Sequence, residues 1–247
     1  MSKKFPRLAV GQMTSTDDVD KNFAACHRLC AQAAAAGADV LVLPECFAFL
    51  GRGDGDLVRT MAPLESELFA RFRDLARLHD LWVCFGGFPE KDSETHAFNA
   101  HVVVDNHGVV VDVYRKIHLF DVVLPSVTLR ESAATSAGTE LVVADSPVGK
   151  LGLTVCYDLR FPELYRALAA RGAELLLVPA AFTLTTGKEH WEVLLRARAI
   201  ENQCWVAAAA QTGKHNEKRE SYGHAMIIDP WGTVVAQARD GEGIAVA

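Results

Sequence analysis

No stretch of this sequence is apolar for long enough to cross a bilayer. Runs such as residues 204–210 fall far short of the about 20 residues a spanning helix needs. No long apolar run follows the charged residues 1–7 either, so no secretory leader is expected. Lysine and arginine do not cluster, and the net charge is −6, which argues against a nucleic-acid face. The cysteines at 26, 30, 46, 84, 156 and 204 form no C-x-x-C pair. Most lie in apolar runs, the pattern of reduced, buried thiols. The nine histidines show no metal-ligand spacing, and there is no G-x-S-x-G elbow or Walker loop. No linker divides the 247 residues. These absences predict a cytoplasmic protein of one domain, residues 1–247, with no membrane or nucleic-acid partner, no metal and no cofactor.

Half of the residues are hydrophobic and 23% are charged, ordinary for a globular fold. Phe23, Cys26, Cys30, Ala33 and Ala34 recur at helical spacing and stop at Gly37. Leu64, Leu68, Phe72 and Leu75 mark a second helix over 64–79, and further helices fit 162–170 and 189–201. Val40-Leu41-Val42-Leu43 is a continuous apolar run, expected of a strand buried on both faces. Other strands fit 8–12, 81–88, 98–105, 109–114, 141–144, 151–156, 175–178, 205–210, 225–228 and 233–236. Residues 125–139 are small and polar and predict a long surface loop. Gly37-Ala38-Asp39-Val40-Leu41-Val42-Leu43-Pro44 is echoed by Gly172-Ala173-Glu174-Leu175-Leu176-Leu177-Val178-Pro179. A helix precedes each copy, and a strand precedes that helix. The echo predicts two similar strand–helix–strand halves and an α/β fold with two sheets face to face and helices outside.

Three chemically capable residues stand at the ends of apolar strands. Glu45 follows Leu43-Pro44, Lys116 follows Tyr114-Arg115, and Cys156 ends Leu153-Thr154-Val155 before a polar turn and a helix near Pro162. Taken singly, Cys156 reads as a core thiol, Glu45 as a surface cap and Lys116 as a solvated cation. Taken together, LPECF around Glu45, YRKIHLF around Lys116 and GLTVCYDLRFPELYR around Cys156 resemble the nitrilase, or carbon–nitrogen hydrolase, superfamily in order and register. Residues 187–201 and 221–232 look like its Nit branch, which includes ω-amidases and the amidases of deaminated glutathione.

The resemblance implies a four-layer α-β-β-α sandwich with an internal pseudo-twofold axis. It also implies amide hydrolysis with Cys156 as nucleophile and Glu45 as proton shuttle. Lys116 and the backbone N–H of Tyr157 would hold the oxyanion, and Glu131 would position Lys116 or the substrate. Arg160, four residues after the nucleophile, suits a bidentate grip on a substrate carboxylate, or else a salt bridge with Glu163. Phe182 and Thr183, just beyond the repeated proline, are candidates for the pocket wall, with core packing the alternative for Phe182. The expected substrate is a small 2-oxo-acid amide, deaminated glutathione first and α-ketoglutaramate second, with a carbamoylase or nitrilase reaction behind them. From another class, a metal-dependent phosphoesterase on a similar sandwich would use Glu45 for Mg²⁺ and leave Cys156 incidental. A binding protein that kept the fold would have no need for all three residues. The family's further strand and C-terminal tail, which help hold a homodimer, are expected to be missing after residues 241–247. Cys26 and Cys30 are expected in the core, and His224 in a strand with a structural role.

Overall fold

The computed structural model describes residues 5–124 and 127–247. Leu8–Met13 (β1) is buried throughout. It leads to α1 (Val19–Ala35), started by Asp18, whose carboxylate accepts from the N–H groups of Asp20 and Lys21, as an N-cap does. Val40–Leu43 (β2) follows, then α2 (Glu67–Leu78), capped by Ser66. Next come β3 (Trp82–Lys91), β4 (Ala97–Val104) and β5 (Val110–Arg115). β1, β2 and β3 run parallel, and β4 and β5 add antiparallel. A detached hairpin, β6 (Asp121–Leu124) and β7 (Val127–Arg130), precedes the short strands β8 (Thr135–Ser136) and β9 (Val143–Ala144).

The second half repeats the scheme. β10 (Leu151–Leu153), α3 (Pro162–Ala170), β11 (Leu175–Leu177), α4 (Leu184–Asn202) and β12 (Trp205–Ala208) alternate, with the three strands parallel. β13 (Ala210–Lys214) and β14 (Glu220–Tyr222) leave this sheet, and β15 (Met226–Ile228) and β16 (Val234–Gln237) complete it antiparallel. The order β10-β11-β12-β15-β16 therefore matches β1-β2-β3-β4-β5 in every strand direction. The register matches too: Leu8 pairs with Val40 and Leu151 with Leu175, so the echoed segments occupy equivalent places. The duplication seen in one strand–helix–strand unit extends to five strands.

Alternation along the strands separates the layers. Val10, Val42, Cys84 and Val103 face the second sheet and share a core with Leu151, Leu153 and Leu177. Ala9, Leu41, Leu43, Val83 and Phe85 face outward onto Cys26, Leu29 and Cys30 of α1 and Phe69 and Phe72 of α2. On the other side, Leu164 and Leu168 of α3 and Trp191 and Leu195 of α4 cover the second sheet. The result is the expected four-layer α-β-β-α sandwich. One residue, Ala209, separates β12 in one sheet from β13, which joins the other beside β1 through Gln12 and Ala210. Ala180, just past β11, also bridges to Ala210, so the sheets are tied together at the ends of their central strands.

Several expectations change. Residues 125–139 are not one loop: β7, a 3₁₀ turn at Glu131–Ala133 and β8 fill most of the segment. Pro125 and Ser126 lie outside the described residues. α4 begins at Leu184 rather than near 189, because Thr183 caps it. The strand expected over 205–210 is two strands in two sheets. His224 is not in a strand. It links β14 to β15 with a φ of 60°, and its ring stacks on Tyr222 at 4.1 Å. β17 (Gly243–Val246), which the sequence did not announce, pairs antiparallel with β1.

Candidate active site

Glu45, Lys116 and Cys156 all fall where strands end and the two sheets are tied. Glu45 lies two residues past β2, and Cys46 turns the chain sharply there with a φ of 59°. Phe47 anchors the corner from the core side, its ring 5.1 Å from Phe72 and 5.2 Å from Phe85. Lys116 is the first residue past β5. Cys156 opens a 3₁₀ turn, Cys156–Arg160, with a φ of 48°. A non-glycine residue in this region costs of order 1–2 kcal/mol, so the surroundings must hold it. The Cys156 N–H donates to the Pro179 carbonyl at 2.9 Å. The Asp158 carboxylate accepts from the Val155 N–H at 2.8 Å, and the Thr154 hydroxyl donates to the Leu177 carbonyl at 2.7 Å. His101 Nδ1–H donates to the Thr154 carbonyl at 3.0 Å.

Asp158 also joins the Cys156 turn to the lysine segment. It accepts from the Tyr114 hydroxyl at 2.7 Å, from the His118 N–H at 3.1 Å and from the His118 ring at 2.7 Å. The Tyr114 oxygen in turn accepts the Ile117 N–H. Two strand ends from different sheets are thereby fixed to each other, two residues from Lys116 on one side and two from Cys156 on the other.

The charged groups are buried as a set. Lys116 is 2% exposed and Glu45 5%. Lys116 Nζ donates to Glu45 Oε1 at 3.1 Å and to both Glu131 oxygens, at 2.9 and 2.8 Å. Glu45 Oε2 accepts the Ala181 N–H at 2.9 Å. Asn99 Nδ2 donates to Glu45 Oε1 at 2.9 Å and to Glu131 Oε1 at 3.2 Å. The Phe120 N–H donates to Glu131 Oε2 at 2.7 Å.

Burial alone would raise the proton affinity of Glu45. The Lys116 charge and hydrogen bonds from Cys156, Lys116 and Asn99 outweigh it and hold the carboxyl below its usual range. Burial opposes the charge on Lys116, yet Glu131, Glu45 and Cys156 raise its proton affinity well above the ordinary lysine value. Burial and the negative Glu45 push the Cys156 thiol well up, with Lys116 opposing. The resting site is therefore a protonated thiol beside an ionised carboxylate and a charged ammonium. It is not the preformed thiolate that a helix N-terminus alone would favour, and α3 begins only at Pro162.

The other expected residues gather unequally. Glu131 stands at the base of the β6–β7 hairpin and grips Lys116. Tyr157 is second in its 3₁₀ turn, and no carbonyl within that turn can accept its N–H. Among the described residues, no carboxylate lies within ion-pair distance of Arg160. Its Nη2 instead lies 3.2 Å from His190 Nδ1, and its guanidinium rests over the rings of Phe182 at 5.5 Å and Tyr157 at 5.9 Å. Phe182 is buried and also packs on Trp191 at 4.9 Å. The Thr183 hydroxyl is spent on capping α4 through Thr186. Sequence reasoning missed Asn99, Asp158 and Tyr114. The one available signal was a polar Asn99 between Phe98 and Ala100 in a strand whose other residues, His101 apart, are apolar.

A thiol, a carboxylate and an ammonium gathered at the joined ends of a duplicated α-β-β-α sandwich are the groups a cysteine-dependent sandwich hydrolase requires. The chain belongs to the carbon–nitrogen hydrolase family, whose profile it matches over residues 7–247. It is 47% identical over 249 residues to the deaminated glutathione amidase of Dictyostelium discoideum, covering 97% of this chain and 86% of that protein. It is 48% identical over 252 residues to the human protein of the same name, covering 100% of this chain and 77% of that one. The nitrilase and fragile histidine triad fusion protein NitFhit of Caenorhabditis elegans is 48% identical over 237 residues, and the chain spans 54% of its length. The crystal structure of that fusion protein superposes with a TM-score of 0.92 at 46% identity, covering 99% of this chain and 61% of the other. Nit3 of Saccharomyces cerevisiae superposes with a TM-score of 0.86 at 30% identity, covering 98% of this chain and 89% of the other.

Proposed function

We propose that this chain is a cysteine-dependent amidase that hydrolyses a small 2-oxo-acid amide, deaminated glutathione foremost, through a thioester on Cys156. The carrying observation is the buried Glu45 carboxylate, which accepts from Lys116 at 3.1 Å and whose negative charge acts on the Cys156 thiol. Glu45 takes the thiol proton as sulfur attacks the amide carbon. Protonation removes the charge that competes for Lys116, so the ammonium turns to the new oxyanion together with the Tyr157 N–H. One such donor is worth about 3–4 kcal/mol of barrier. Glu45 then gives its proton to the leaving nitrogen, the C–N bond breaks and the thioester remains. Glu45 next takes a proton from water, the hydroxyl adds to the thioester, and the acid leaves as the proton returns to sulfur. Glu131 holds Lys116 in place throughout. Lys116 donating to Glu45 Oε1 also disfavours the phosphoesterase alternative, because an ammonium at that oxygen repels a dication.

Arg160 supports an anionic substrate. It is a half-buried cation on an aromatic ledge, four residues from the nucleophile, and suits a carboxylate. Phe182 shares that ledge, and Thr183 contributes backbone at the start of α4. Several relatives carry the name deaminated glutathione amidase, which favours that amide over α-ketoglutaramate. We also propose a cytoplasmic homodimer. No helix among the described residues is long and apolar enough to cross a membrane. Val193 and Ile200 of α4 stand 61% and 53% exposed, and Trp231 88%, apolar side chains on a face that also carries Glu192 and Arg196, a mixture suited to a second copy.

The test is turnover of deaminated glutathione and α-ketoglutaramate side by side, with Cys156→Ala as control. Faster release from deaminated glutathione that vanishes in the variant is expected. Turnover surviving Cys156→Ala would remove the mechanism, and a folded protein inactive on both amides would remove the substrate.

A further inference from the structure

Glu45 and Glu131 present like charges to the same ammonium, and one neutral group stands between them. Asn99 Nδ2 carries two hydrogens, and both have a carboxylate acceptor: Glu45 Oε1 at 2.9 Å and Glu131 Oε1 at 3.2 Å. The orientation of the amide is decided by these partners. Turned over, its oxygen would face two carboxylate oxygens. The Asn99 carbonyl fixes the other end of the arrangement by accepting the Lys116 N–H at 3.0 Å. Gly87 on the neighbouring strand leaves the room: a Cβ there would lie 2.7 Å from Asn99 Oδ1 and 3.2 Å from Glu45 Cα.

We propose that Asn99 is a positioning residue that orients Glu45 as the general base and keeps the two carboxylates from exchanging partners on Lys116. Without it, Glu45 Oε1 loses one of its two donors. Glu131 Oε1 is then free to compete for the Lys116 proton that Glu45 uses. The groups facing Glu45 are Lys116 beyond β5, Glu131 beyond β7, Cys156 beyond β10 and the adjacent Cys46, with Arg219 acting on Cys46 from the loop before β14. None of them replaces a neutral donor to both carboxylates. The Asn99 hydrogen bond lowers the proton affinity of Glu45, so its loss acts in one direction only: Glu45 holds its proton to higher pH.

This inference rests on Glu45 as base and Cys156 as nucleophile, not on any substrate. It is tested with methyl methanethiosulfonate, a small thiol reagent that is not an amide. The rate of labelling at Cys156 is followed by peptide mass spectrometry from pH 3 to 9. In the unaltered enzyme the rate falls on the acid side as Glu45 protonates, and Glu45→Gln abolishes that limb. Persistence of the limb in Glu45→Gln would overturn the base assignment itself. With the base in place, Asn99→Ala is expected to move the acid limb up by half a pH unit or more, a threefold or greater loss of rate below it. Asn99→Asp, the same shape with an added negative charge, moves it further. Gly87→Ala, which crowds the amide oxygen most closely and the Glu45 backbone less so, moves it in the same direction. A residue that merely packs would lower the rate at every pH and leave the limb where it was. That result, or the failure of all three variants to fold, would overturn the role given to Asn99.

Discussion

His101 keeps its ring between the two sheets, fully buried, with Nδ1–H on the Thr154 carbonyl and Nε2 without a partner among the described residues. Burial lowers its pKa to about 4 against 6.5 for the free side chain, so the folded ring is neutral. Between these values the unfolded chain binds a proton that the folded chain refuses. The stability is therefore intact above pH 6.5 and lost as pH falls toward 4, by about 3 kcal/mol in all. His101→Gln is expected to flatten the urea-unfolding stability between pH 4 and 6.5, and an unchanged slope would contradict the assignment. The charged groups nearby carry a different risk. Removing Lys116 alone leaves the Glu45 and Glu131 carboxylates uncompensated, at a cost of roughly 3–5 kcal/mol, whereas Lys116 keeps Glu131 when Glu45 is removed. Loss of activity in such variants therefore has to be separated from loss of fold. Glu45, Lys116 and Cys156 were legible in the sequence because each interrupts or ends an apolar run inside an ordered motif. Asn99, Tyr114 and Asp158 were not. A polar residue in or after a strand announces no partner, and theirs are 30 or more residues away in the chain.

Among the elements, buried parallel strands were the easiest to read. Val40–Leu43 and Leu175–Leu177 have helices on one face and a second sheet on the other, so every position is apolar. α3 matched over Pro162–Ala170 because proline marks its first turn. The misreadings have physical causes. α4 opens with two threonines and a glycine in its first turn, weak helix formers, and the Thr183 cap starts it at Leu184, ahead of residue 189. Residues 205–210 are apolar across the step between the two sheets, and composition does not register a change of pairing partner at Ala209. The β6–β7 hairpin lacks a two-residue Asn-Gly or Asp-Gly turn signal. It nevertheless carries Phe120 at its entry and Glu131 at its exit, joined by the Phe120 N–H, and so presents the carboxylate that grips Lys116.

Across the whole molecule, the internal duplication explains where the chemistry sits. Equivalent strands end on the same side, and the step at Ala209 and the Ala180–Ala210 bridge bring the two sets of ends together. Residues 71 and 40 apart along the chain, from Glu45 to Lys116 to Cys156, thus reach one buried cluster. The exposed strip on α4 lies on the opposite face of that helix from Trp191 and Leu195, which are sealed in the core. Val193→Glu with Ile200→Glu is expected to turn a dimer into a monomer on sedimentation, and a dimer that persists would place the interface elsewhere. The central claim is that Cys156 carries the acyl group. The most direct measurement is the mass of Cys156-containing peptides from enzyme quenched with acid during turnover of deaminated glutathione. The account predicts a 2-oxoglutaryl thioester on Cys156 that disappears when substrate is exhausted. Steady turnover with no adduct on Cys156 under any quench, together with activity in Cys156→Ala, would contradict it.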